Sequence, residues 1–230
     1  MQLKKLIATL DAEFDSPNVK DDWSFLFDKL FIEKSQASFR KPHYQTGLAI
    51  KNSDTINKIY TAFAPSTCVL EAIEKKGIKD VLLVVKHPFD WNGRDEGFIF
   101  LSKHDYQIME HMRVSVYSIH TPMDKNRNDK VVSTAYAFAK VIGLKVKKQF
   151  APAEDNPSLL LGLIGAVQEK RFSTFVKRLS NDLHYRVKTM KVDDSVGSVA
   201  IVTGGGFVPL LVEQAKELGV HTYITGIITP

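Results

Sequence analysis

Residues 81–88 read Val81-Leu82-Leu83-Val84-Val85-Lys86-His87-Pro88. The first five are all β-branched or leucine, and such an unbroken run is typical of a strand buried on both faces, as in a parallel sheet. The run changes abruptly at Lys86, so the predicted strand leads directly into an ammonium group and an imidazole. This stretch therefore predicts both the class of fold and a place where chemistry can occur.

Helical and extended patterns alternate on both sides of this strand. The helical pattern predicts helices over residues 1–12, 66–76, 103–112, 129–142, 173–183 and 207–218. The extended pattern predicts further strands over residues 47–50, 56–63, 114–119, 144–147, 159–167, 184–190, 199–202 and 221–224. This alternation favours the α/β class. The proline-rich, acidic segment 149–157 is the best candidate for a hinge.

The composition excludes several classes of protein. The chain has 230 residues, of which 44% are hydrophobic and 25% charged, so it is neither collagen-like nor disordered. Its one cysteine, Cys68, excludes an internal disulfide framework and fits a reducing compartment. The longest apolar run, residues 159–167, is too short to cross a membrane, and the N-terminus does not resemble a secretion signal. We therefore expect a soluble cytoplasmic protein without membrane partners.

The chain is mildly basic, with a formal net charge of +5, and part of the excess of lysine and arginine over acidic residues lies in residues 170–191. A basic face attracts partners that carry phosphate. The aromatic residues within this segment have spacings that a core-facing helix would also show. A solvated surface is therefore favoured over a nucleic-acid site, although the sequence leaves both readings open.

Chemically capable side chains follow several of the predicted strands. His87 follows strand 81–85, and His120 and Asp124 follow strand 114–119. Because ligand sites in open α/β sheets lie outside the carboxyl ends of the strands, we expect these residues to converge. Imidazole and carboxylate groups together bind Zn, Mn or Fe in hydrolytic centres. Two alternatives stay open: His87 can be a structural histidine, and Asp124 can cap the next helix.

A glycine-rich turn, Thr203-Gly204-Gly205-Gly206, follows strand 199–202 and precedes a predicted helix. Its backbone N–H groups could bind an anion. No Gly-Lys-Ser/Thr or GxGxxG pattern is present, so the turn is not a known nucleotide-binding fingerprint. A tight connection between strand and helix is the favoured interpretation.

Taken in order, these strand ends resemble the GTP cyclohydrolase 1 type 2 family, also called the NGG-one-interacting-factor-three-like proteins. The resemblance begins at Thr46-Gly47-Leu48-Ala49 and continues through residues 84–88, 116–124, 199–206 and 222–226. It implies two intertwined α/β domains with mostly parallel buried strands, assembled as a toroidal homohexamer. It also implies a two-metal site. We place the first domain at residues 1–125 and the second at residues 126–230, whose C-terminal end can return to the first.

Carried over by this resemblance, His87 and Asp124 are metal ligands, and His120 lines the same site with Lys86, Thr203 and Gly204. The sequence departs from the family pattern at Lys86, which stands where a first histidine ligand is expected and cannot ligate when protonated. Further expected ligands are missing after Gly226, so the chain is either truncated or has lost part of its centre.

The resemblance leaves two hypotheses about function. The first is a hydrolase that uses a divalent transition metal (Zn, Mn or Fe) and acts on a nucleotide or another phosphate-bearing ligand. The second is a non-catalytic scaffold or regulatory protein of the same fold that has lost the metal centre. Lys86 motivates the second hypothesis, and the convergence of His87, His120 and Asp124 motivates the first.

Overall fold

A computed structural model describes residues 1–18, 27–40, 46–91, 98–126, 133–153 and 157–226. The start of the helix predicted from residue 129, part of the predicted hinge at 154–156 and the last four positions lie outside the described residues. The chain divides into two compact units, Met1–Met123 and Asp124–Pro230. Within the described ranges, no helix combines the length and the apolar character needed to cross a membrane.

The first unit contains a four-stranded sheet with the order β1-β6-β3-β2. β2, β3 and β6 run parallel, and β1 pairs antiparallel with β6. Two short strands, β4 and β5, form a separate antiparallel pair. The elements of this unit are α1 (Leu3–Phe14), α2 (Lys29–Lys34), β1 (Gly47–Ile50), β2 (Lys58–Ala62), α3 (Thr67–Lys75), β3 (Val81–Val85), β4 (Asp90–Trp91), β5 (Phe98–Ile99), α4 (Lys103–His111) and β6 (Val114–Ser118).

β3 is buried on both faces, as its apolar run predicts. Leu83 belongs to a core cluster with Leu70 of α3 and Met109 of α4. Leu82, which points to the opposite face, belongs to a cluster with Leu3 of α1 and Tyr117 of β6. The helices thus cover the sheet on both sides, and the prediction of a buried parallel strand is confirmed.

An ion pair joins the starts of β3 and β6. The Arg113 guanidinium donates through Nε to Asp80 Oδ1 at 2.6 Å and through Nη2 to Oδ2 at 2.5 Å. Ser53 Oγ also donates to Asp80 Oδ1, at 2.7 Å. These bonds lower the pKa of the Asp80 carboxyl group to about 2. Asp80 directly precedes β3 and Arg113 directly precedes β6, and the first residues of these strands, Val81 and Val114, are partners in the sheet. The ion pair therefore lies where the β3–β6 register begins.

The second unit contains a four-stranded sheet with the order β10-β9-β8-β7. β10 pairs parallel with β9, whereas β8 pairs antiparallel with both of its neighbours, so parallel pairing is confined to one edge of this sheet. The α/β class is confirmed for the molecule. The elements of this unit are α5 (Thr134–Val141), β7 (Lys145–Pro152), β8 (Leu160–Ala166), α6 (Phe172–Asp182), β9 (Val199–Val202), α7 (Pro209–Glu217) and β10 (Thr222–Thr225).

Two local predictions for this unit are wrong. β7 continues to Pro152, so residues 149–152 belong to a strand rather than to a hinge; Phe150 is buried there and pairs with Gly162. Proline is tolerated because β7 is an edge strand of this sheet. Residues 184–190 form no strand: Tyr185 is 66% exposed and Met190 is 91% exposed. Their alternation of basic and apolar residues resembles the pattern of a strand, but these two side chains of the segment are not buried against the sheet.

The Asp80–Arg113 pair predicts how stability depends on pH. The folded pKa of Asp80 lies below its unfolded value of about 3.9, so its contribution is present above that pH and is lost as the pH falls towards 2. We expect Asp80→Asn to lower the free energy of unfolding near neutral pH. The difference from the unaltered chain should shrink between about pH 4 and pH 2. Urea denaturation across this range measures it.

The asparagine variant suits this test because Asp80 has a φ of 60°, a conformation that asparagine tolerates. In an Arg113→Gln background, Asp80→Asn should have a smaller further pH-dependent effect, since the largest cause of the lowered pKa is gone while the Ser53 hydrogen bond remains. A full pH-dependent effect in that background would contradict the assignment to Arg113.

Candidate functional site

The carboxyl ends of β2, β3 and β6 lie side by side in the first unit. The register pairs Ala62 with Val85 and Val85 with Ser118. The residues that follow these strands therefore emerge along one edge of the sheet. Phe63 follows β2, Lys86 and His87 follow β3, and His120 follows β6 after one intervening residue.

Backbone hydrogen bonds fix the turn that carries His87. The N–H groups of Lys86 and His87 both donate to the Phe63 carbonyl oxygen, at 3.1 and 2.9 Å. On the other side, the Ile119 N–H donates to the Val85 carbonyl oxygen at 2.8 Å. The main chain at His87 is thus held by the residue that follows β2, while the hydrogen bonds between β3 and the chain after β6 extend as far as Ile119.

The two histidine side chains predicted for the site lie together. The ring centroids of His87 and His120 are 4.6 Å apart, with an angle of 55° between the ring planes. The Phe63 ring lies 4.8 Å from the His87 ring on the β2 side. Thr121 Oγ1 lies 3.3 Å from His120 Nδ1, within hydrogen-bonding distance. Both histidines are half-buried, so their rings are held by packing and remain reachable from solvent.

Lys86 places a cation at the same edge. Its ammonium group donates to the His120 carbonyl oxygen at 3.1 Å, and the side chain is half-buried. A protonated amine has only donors and cannot bind a metal ion. Lys86 therefore contributes a positive charge and hydrogen-bond donors to this edge, and contributes no ligand.

Asp124, Thr134 and Thr203 form a second group within the second unit. Thr134, the first residue of α5, donates from Oγ1 to Asp124 Oδ1 at 2.6 Å. Thr134 Oγ1 also lies 2.8 Å from Thr203 Oγ1, so the Thr203 hydroxyl donates to it. The alternative that Asp124 caps α5 is wrong, because Ser133 is the N-cap and accepts from the Tyr136 N–H.

The glycine-rich turn is held through its carbonyl oxygens. Thr225 Oγ1 donates to the Gly204 carbonyl oxygen at 3.1 Å, and the Tyr223 hydroxyl donates to that of Gly206 at 2.6 Å. A Cβ on Gly206 would lie 2.6 Å from the Val202 Cβ, so the close turn requires glycine there. These contacts favour the interpretation as a tight connection between β9 and α7.

The donor set can be compared with what a metal centre requires. Within the part of the chain that the structure describes, no group of three or more His, Cys, Asp or Glu side chains could hold an ion. Those residues therefore do not fit a two-ion centre, which needs several ligands for each ion. Imidazole and carboxylate groups are chemically suitable metal donors, and His87 and Asp124 each carry one.

Two residues of these groups escape the sequence predictions. Phe63 directly follows β2. The rule that ligand sites lie at the carboxyl ends of parallel strands, called the strand-end rule below, selects His87 and would also select Phe63 if aromatic side chains were included as candidates. Thr134 carries no signal in the sequence, because its role depends on a hydroxyl brought beside Asp124 by the fold. The lone cysteine, Cys68, is exposed on α3.

Comparisons with known proteins agree with this architecture. Residues 30–229 match the profile of the family described as Duf34/NIF3 (NGG1p interacting factor 3). A protein of Borreliella burgdorferi named GTP cyclohydrolase 1 type 2 homolog is 28% identical over 182 residues, covering 78% of this chain and 67% of the relative. The Escherichia coli K12 protein of the same name is 22% identical over 203 residues, covering 86% and 76%.

The fold recurs in solved structures. The structure titled protein ybgI, of unknown function, superposes with a TM-score of 0.71 at 18% sequence identity. The alignment covers 100% of this chain and 79% of that one. At this identity the likeness shows the fold alone.

The hydroxyl pair beside Asp124 gives a testable prediction. Thr134→Val and Thr203→Val should each lower the free energy of unfolding by about 1–3 kcal/mol, because each removes a hydrogen-bonding partner from a half-buried group. The double variant should cost less than the sum, with a coupling of about 0.5–1.5 kcal/mol. Urea denaturation followed by circular dichroism measures all three variants. Strict additivity would show that the two hydroxyl groups do not interact.

Proposed function

This chain belongs to the Duf34/NIF3 (NGG1p interacting factor 3) family, and from that premise we propose that it binds a divalent transition-metal ion, with His87 and Asp124 as the candidate ligands. We propose further that it hydrolyses a nucleotide-like substrate. Membership of the family is consistent with metal binding. The observation that carries the proposal is the packing of the His87 and His120 rings at the ends of adjacent parallel strands.

The chemistry of the donors narrows the choice of metal. Imidazole and carboxylate groups suit Zn, Mn and Fe. Such an ion supplies Lewis acidity, which polarises a substrate and acidifies water. Two protein ligands alone would hold such an ion weakly.

The neighbouring residues have separate roles in this proposal. His120 packs against the His87 ring and limits its rotation. Thr134 orients the Asp124 carboxylate through the hydrogen bond to Oδ1. Lys86 supplies a fixed positive charge where a second ion would otherwise neutralise an anionic substrate, and its ammonium group complements phosphate.

A second candidate function is a non-catalytic scaffold of the same fold. Two observations favour it: the described residues contain no group of three metal-ligating side chains, and Lys86 brings a donor rather than a ligand. The two candidates differ in whether the purified protein retains metal and whether its activity depends on His87.

Metal content tests the first proposal. At equilibrium in dialysis against free Zn, Mn or Fe, the chain should bind about one equivalent of metal by elemental analysis. His87→Ala and Asp124→Asn should each lower retention about tenfold or more, because half of the protein ligands are lost. His104→Ala, on the helix α4, is the matched control and should retain the metal. Less than about a tenth of an equivalent in the unaltered chain would overturn the proposal.

Turnover separates the two candidates once metal content is known. We expect the metal-loaded chain to hydrolyse GTP, with activity lost in His87→Ala. A chain that neither binds metal nor turns over any nucleotide would favour the scaffold, whereas GTP hydrolysis abolished by His87→Ala would rule the scaffold out.

We also propose that the chain self-associates as a homohexamer in the cytoplasm. Besides family membership, apolar side chains exposed around the start of α7 support this: Leu210 is 71% exposed, with Phe207, Val208 and Val212 also exposed. We expect sedimentation equilibrium to give six times the mass of the 25.9 kDa chain. Leu210→Glu should shift the protein towards smaller species, whereas Lys216→Glu on the same helix should not. A monomer at every concentration would contradict the proposal.

A further inference from the structure

Three rings form a row across the carboxyl edge of the first sheet. Phe63, His87 and His120 follow β2, β3 and β6, the three neighbouring parallel strands. Centroid distances are 4.8 Å between Phe63 and His87 and 4.6 Å between His87 and His120. The register of the strands creates this row, because it places one ring-bearing residue at the end of each strand.

Phe63 is the exposed end of the row. Its side chain is 57% exposed, although its backbone is held firmly by the N–H groups of Lys86 and His87. A single exposed apolar residue is ordinary on a protein surface. Phe63 differs because its ring contacts a candidate metal ligand and its carbonyl oxygen positions that ligand's main chain.

We propose that Phe63 is the base-contacting residue of a nucleotide site and stacks on a planar heteroaromatic base. This inference rests on the proposed function and names the part of the substrate that the protein recognises. Aromatic side chains stack on nucleobases through their π-faces and tolerate any base. A fixed ring with an open face offers such a surface at low entropic cost, since the backbone is already ordered.

The charge at this edge complements the other end of a nucleotide. The Lys86 ammonium group, held on the His120 carbonyl oxygen, supplies a cation for phosphate. The Phe63 ring follows β2, on one side of β3 and His87. The Lys86 ammonium group is hydrogen-bonded to His120, which follows β6 on the other side. A ligand with a planar ring at one end and an anion at the other matches this arrangement.

Calorimetric titration of the metal-loaded chain tests this inference, with GMP as the probe and ribose 5-phosphate as the probe without a base. We expect GMP to bind more tightly than ribose 5-phosphate. Phe63→Ala should weaken GMP binding about tenfold or more and leave ribose 5-phosphate binding unchanged. Phe63→Tyr should preserve GMP binding, whereas Phe63→Leu, which keeps apolar volume without a ring, should not.

Ile59→Ala is the matched control, because Ile59 is 45% exposed on the same strand β2 and lies away from its carboxyl end. It should leave GMP binding unchanged. Equal GMP affinity in the unaltered chain and Phe63→Ala would overturn the inference while leaving the proposed function standing. Metal retention without GMP binding would also overturn the inference. A change in sedimentation alone on Phe63→Ala would show that a second copy of the chain covers the ring, which also overturns it.

Discussion

The bidentate pair between Asp80 and Arg113 is the constraint on which the site in the first unit depends. It joins the residues that precede β3 and β6, both of which have positive φ values, and it therefore lies where the register of these strands is set. A shift of one residue would turn each side chain to the other face of the sheet. The ends of β3 and β6 would then no longer present His87 and His120 side by side.

Much of this fold is visible in the sequence because burial leaves a strong pattern. The run Val81–Val85 has no polar side to expose, so it fits a strand covered on both faces. The failures arise where local pattern and tertiary packing disagree. Residues 184–190 alternate like a strand but form none and leave Tyr185 and Met190 exposed, whereas Phe150 extends β7 through a proline-rich stretch because its ring is buried there.

The candidate site likewise contains residues that the sequence predicts and residues that only the folded structure brings together. The strand-end rule places His87 and His120 together without knowledge of any contact, since parallel strands in register bring their carboxyl ends to one edge. The hydroxyl of Thr134 at Asp124 depends on how α5 begins, and Ser133 as the N-cap sets that beginning. The sequence leaves capping of the next helix by Asp124 as an open alternative, because aspartate is a good cap.

The carbonyl oxygen of Phe63 holds the turn after β3, and it belongs to the main chain. Almost any residue at this position would supply the same acceptor, so the anchoring role is separate from the identity of the side chain. A single codon change at position 63 can therefore replace the ring while keeping the main-chain acceptor that anchors the turn. Ligand preference can diversify at such a position in evolution while the backbone that carries His87 is inherited intact.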